Sequence, residues 1–109
     1  MSKPLSTANF LVTLSDLHNE LDNAYWESNC VEHKDIIYNI IDIIRIEAAE
    51  LNKLSVQDHH YPYEPITQEV KDLKERLKFL HKNMSKYVPR SKTAQNLEQL
   101  LPKIVAHVL

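Results

Sequence analysis

Not one of the 109 residues is glycine. A chain of this length with average usage would carry about seven or eight, mostly where turns or bulges need positive φ. Hairpins and β-sandwiches are therefore disfavoured. Glycine-rich phosphate loops and dinucleotide turns are excluded, because a Cβ would stand between the backbone and the phosphates. With 43% apolar and 26% charged residues, the chain has the make-up of an ordinary globular protein, and its length fits one domain, residues 1–109.

The apolar residues recur at helical intervals. Ser6 or Thr7 can cap a first helix whose stripe is Phe10, Leu14, Leu17, Leu21 and Ala24, with Tyr25 and Trp26 thickening its far end. Asn29 and Glu32 form a variant capping box for a second helix, Val31 to Leu54. On it Ile36, Ile37, Ile40, Ile41, Ile43, Ile44, Ala48, Leu51 and Leu54 spread over roughly 160°, too wide for one neighbour. Isoleucine is not a strong helix former, so packing must hold this segment. Ser55 to Pro65, with Pro62 and Pro65, reads as a stiff loop. A third helix from about Thr67 to Val88 carries Ile66, Val70, Leu73, Leu77, Leu80, Met84 and Val88. A fourth starts near Ser91 and aligns Ala94, Leu97, Leu101, Ile104 and Val108, with Pro102 expected to kink or split it. The expected fold is all-α: a small antiparallel bundle of about four helices around the isoleucine-rich one.

That central helix holds one anomaly. Glu47 falls inside the apolar arc, where an unpaired carboxylate is costly, and a basic group from another helix is the simplest partner expected for it. Metal is the other way to satisfy such a group. Glu47 and Glu50 form an E-x-x-E pair and Glu69 and Asp72 an E-x-x-D pair on the next helix; such carboxylates can hold Mg²⁺ beside substrate phosphates. The pattern resembles the acidic signature of the all-α nucleoside triphosphate pyrophosphatases of the MazG type. That resemblance implies a Mg²⁺-dependent enzyme using Glu47, Glu50, Glu69 and Asp72 as catalytic and metal-binding residues.

Other constellations carry less chemistry. Asp58, His59 and His60 in the loop have no further ligand at a diagnostic spacing, so a polar surface loop is expected there. Arg76 and His81 match the R-x4-H spacing of the HEPN-type ribonucleases, but the polar residue that commonly follows the arginine in that family is here the stripe residue Leu77. A lone Cys30 excludes an intramolecular disulfide. With no signal-like start and charges breaking the isoleucine run, a cytoplasmic chain without a membrane span is expected.

Charge is divided along the chain. Residues 1–63 hold ten acidic and four basic groups, net −6, and residues 64–109 hold five acidic and nine basic, net +4. Lys74, Lys78, Lys82 and Lys86 form a ladder on the third helix, opposite its apolar stripe, and Ile46 and Phe79 stand off the apolar stripes of their helices. These six residues are the candidate partner-binding surface. The expected function is a non-enzymatic regulatory, adaptor or inhibitor module without a cofactor, its partner another protein or a second copy in a homodimer. Nucleic-acid binding through the lysines is a weaker expectation, because the net charge is −2 and arginine clusters are missing.

Overall fold

The computed structural model describes residues 5–107, Ser91 by its backbone alone; Lys3, Val108 and Leu109 lie outside these residues. The fold is all-α, as expected. Helix α1 spans Thr7–Glu27, α2 Val31–Asn52, α3 Leu73–Lys82, α4 Met84–Tyr87 and α5 Ser91–Val105. The four longer helices close a ring: α1 packs on α2 and α5, and α3 packs on α5 and α2.

Local chemistry explains the first helix directly. The Ser6 hydroxyl accepts from the Asn9 amide at 3.2 Å, and Phe10, Leu14, Leu17, Leu21 and Ala24 are all buried. Trp26 departs from expectation and is 72% exposed, because it lies about 200° around the helix from Ala24.

Helix α2 does not use the expected capping box. Its N-cap is Cys30, whose side chain makes no capping bond. The Ser28 hydroxyl accepts from the Cys30 amide and donates to the Cys30 carbonyl, both at 3.3 Å, which holds Cys30 extended and leaves Asn29 outside the helix. The wide isoleucine face is real: Ile37, Ile40, Ile41, Ile43 and Ile44 are buried. Its width matches α2's place between α1 on one side and α3 with the preceding 3₁₀ turn, Glu69–Asp72, on the other.

The long connection is built rather than loose. A 3₁₀ turn covers Asp58–His60. The next residues lie along the chain entering α1, with Thr7 N–H donating to the Tyr61 carbonyl at 2.8 Å and Tyr63 N–H to the Leu5 carbonyl at 2.9 Å. Pro62 faces Ser6 in the isolated antiparallel bridge between those bonds, where no N–H is required of it.

Two expectations need correction here. The expected third helix is divided: a 3₁₀ turn, Glu69–Asp72, precedes α3, Leu73–Lys82, and a break at Asn83 separates α3 from α4, Met84–Tyr87. Asn83 leaves helical geometry, with φ −111° and ψ 28°, while its backbone N–H and its side-chain amide both donate to the Phe79 carbonyl, at 3.1 and 2.9 Å, and so cap the end of α3. Val70, Leu73, Leu77, Leu80, Met84 and Val88 are nevertheless buried, whereas Ile66 is exposed. In α5 the helix continues through Pro102 without being split. Pro102 comes within a turn of the end and is exposed, as is Glu98, whose carbonyl loses its donor where solvent can serve it.

Candidate functional site

Glu47 is completely buried on α2. Its three hydrogen-bond donors are all uncharged. The Tyr63 hydroxyl donates to Oε2 at 2.6 Å, the Ile66 amide donates to Oε2 at 3.0 Å, and the Thr67 amide donates to Oε1 at 2.9 Å. Three donors, one of them a phenol, satisfy a buried carboxylate without a counter-charge. Tyr63 itself stacks on Phe10 with ring centroids 3.6 Å apart and planes 10° from parallel. Phe10, Glu47, Tyr63 and the Ile66–Thr67 backbone thus form a knot that ties α1, α2 and the linker together.

Burial raises the Tyr63 phenol well above its ordinary range, and the hydrogen bond and negative charge of Glu47 push it further the same way. The folded protein therefore keeps a proton that the unfolded chain releases at about pH 10. This contribution to stability is fully present below that pH and is lost as pH rises above it. In urea titrations at stepped pH, stability should fall more steeply above about pH 10 in the wild type than in Tyr63→Phe.

The other proposed carboxylates do not join Glu47. Glu50 pairs with Lys53 at 2.9 Å near the surface, and Glu69 and Asp72 are exposed on the 3₁₀ turn. No cluster of three or more His, Cys, Asp or Glu side chains suited to a metal occurs among the described residues. A Mg²⁺ site built on Glu47 would also have to displace three donors. In the loop, His59 Nε2 bonds the Leu51 carbonyl at 2.9 Å and so completes the end of α2, while Asp58 accepts from the Ser55 hydroxyl at 2.9 Å. Arg76 and His81 are both exposed on α3, and five residues of helix turn them about 140° apart.

The cationic surface is present but divided. Lys74, Lys78 and Lys82 lie on α3, whereas Lys86 lies beyond the Asn83 break on α4, with its Nζ 5.5 Å from the Tyr87 ring centroid. The ion pairs among the described residues, Arg45–Asp42 and Lys53–Glu50, leave all four lysines unpaired. Phe79 is 47% exposed and borders a notch of about 250 Å³ with Ile36, Ile40, Glu75 and Arg76. Ile46 is only partly exposed and does not line that notch.

A second surface escaped the sequence reading. The side of the α1–α2 hairpin away from α3 and α5 carries Val12 at 61% exposure and Tyr38 at 51%, together with Trp26. Two adjoining cavities run along it, of about 380 and about 360 Å³, and His18 and Arg45 line both. At one end Lys34 donates to the Tyr25 carbonyl at 2.8 Å and sits over the Tyr25 and Trp26 rings, 4.4 and 5.3 Å from their centroids. The apolar stripe of α1 gave no hint of this face, because Val12 and Trp26 stand off that stripe.

Fold and surfaces together define a small all-α bundle with a buried structural carboxylate and two uncovered faces of different character. No protein-family model matches the chain, and comparisons with the curated proteins and with the solved structures returned no match. No helix among the described residues is long and apolar enough to cross a membrane.

Proposed function

We propose that this protein is a non-enzymatic helical interaction module, working as a homodimer, whose α3 surface docks an acidic amphipathic helix of another protein. One observation carries the reading: an unpaired row of lysines beside an exposed phenylalanine. Lys74, Lys78 and Lys82 have no ion-pair partner among the described residues, and Phe79 stands one turn from Lys82 at the edge of an apolar notch. Lysines attract an acidic surface from a distance but fix little geometry, whereas an aromatic beside a notch supplies an anchor point. An acidic helix with an apolar stripe matches both parts. Glu47 takes no part in this reading, since its oxygens are already committed to Tyr63, Ile66 and Thr67.

The test uses a designed helical peptide of alternating glutamate and leucine turns, titrated by calorimetry. Binding should weaken as salt is added. Reversing two charges, Lys78→Glu with Lys82→Glu, should lower affinity about tenfold or more, and Phe79→Ala should lower it further. Absence of binding at low salt, or binding indifferent to the charge reversal, would remove the reading. Tighter, salt-dependent binding of a mixed-sequence oligonucleotide on the same lysines would replace it with a nucleic-acid role.

A further inference from the structure

We infer that the uncovered outer face of the α1–α2 hairpin is a two-fold seam between two copies of this chain, with Trp26 of each copy filling the other's Leu11–Val12 cavity. This rests on the dimer half of the reading above and is independent of the α3 surface.

Protrusion and recess lie on the same face, at opposite ends. Trp26 projects from the C-terminal end of α1, 72% exposed with Tyr38 beside it. The cavity of about 380 Å³ at the other end is lined by Leu11, Val12, Ile44 and Ala48 among others. Val12 and Trp26 are fourteen residues apart on one helix, about 21 Å. His18 and Arg45, which line the cavities at both ends, mark the midpoint. A rotation of 180° about that midpoint lays each copy's protrusion over the other's recess, and this is the condition for a closed, self-complementary contact.

Spacing and size agree with helix packing across the seam. On α1, Leu11, Ser15, His18, Asp22 and Tyr25 line these cavities at intervals of four and three; on α2, Tyr38, Ile41, Arg45, Ala48 and Asn52 do so at three and four. Such alternation marks one continuous face on each helix, so the cavities form a single strip along the hairpin. The 21 residues of α1 run about 31 Å, and two helices side by side present roughly 600 Å². Two such faces bury roughly 1,200 Å², the lower limit for a specific stable contact.

Trp26 is the chain's single tryptophan, so its emission reports on the seam directly. Sedimentation of the full chain from about 1 µM to about 300 µM should show monomers giving way to dimers, with Trp26 emission shifting to the blue in step. Trp26→Ala and Val12→Glu should each weaken dimerisation at least tenfold, while helical circular dichroism, and melting at concentrations where the wild type is monomeric, stay unchanged. Both positions are exposed. Mixing the two variants should restore part of the association, because the mixed dimer keeps one intact tryptophan–cavity contact. A wild type that stays monomeric at the highest concentration overturns both this seam and the dimer half of the functional reading. A dimer indifferent to both substitutions overturns the seam alone. Trp26 emission that shifts only when a foreign helical peptide is added assigns the face to another partner and likewise overturns it.

Discussion

Glu47→Leu is expected to lower the free energy of unfolding by about 3 kcal/mol or more, making it one of the two most damaging substitutions considered for this chain. Leucine fills much of the same space and suits the surrounding isoleucines. The loss comes from what the carboxylate leaves behind: the Tyr63 hydroxyl and the Ile66 and Thr67 amides lose their acceptor at once. Each buried donor left unsatisfied costs about 1–3 kcal/mol, and the two amides, near the surface, fall at the lower end. With roughly 4 °C lost per kcal/mol in a domain of this size, the melting temperature should fall by about 12 °C or more. Glu47→Gln separates charge from shape. It keeps one carbonyl oxygen but turns an NH₂ group toward donors, and should lie between wild type and Glu47→Leu. Hydrogen exchange supplies a local readout, since the Ile66 and Thr67 amides should lose protection in both variants. A Glu47→Leu protein as stable as wild type would show that the knot contributes nothing.

Phe10→Ala should cost about 3–5 kcal/mol. Phe10 is fully buried and is the base on which the Tyr63 ring lies. Truncation therefore opens a cavity in the core and also releases the ring that carries the hydroxyl to Glu47. Phe10→Leu keeps most of the volume without the stack and should cost about 1–2 kcal/mol. Because both changes loosen the same tyrosine, Phe10→Ala combined with Glu47→Leu should destabilise less than the sum, by 0.5 kcal/mol or more. Strict additivity in urea denaturation would mean that Phe10 and Glu47 act separately.

The two expectations that changed most, at Glu47 and along the lysine ladder, failed for different reasons. At Glu47 the reasoning that a buried carboxylate must be resolved was sound. A basic partner was the wrong solution because total donor capacity satisfies the carboxylate, and a phenol with two backbone amides supplies it without a second charge. Those donors lie sixteen to twenty residues further along, in and just after the segment holding Pro62 and Pro65, where helical periodicity has nothing to say. The ladder failed locally. Its four-residue repeat continues past Asn83, but the backbone of Asn83 leaves helical angles, ends α3 there and carries Lys86 onto a separate turn.

What the sequence by itself determined is the all-α class and most of the buried stripes, because stripe spacing and the Ser6 cap are properties of neighbouring residues. The missing glycines steered it to helix, and the width of the isoleucine face stated in advance that α2 needs two neighbours. Only the tertiary structure decided what Glu47 binds, which aromatic is stacked and which exposed, and which side of the α1–α2 hairpin is left uncovered. Each of these depends on where segments far apart in the chain come to rest. A carboxylate at 0% exposure accepts whatever donors the fold brings to it, and in this protein the fold brings a linker tyrosine and two amides.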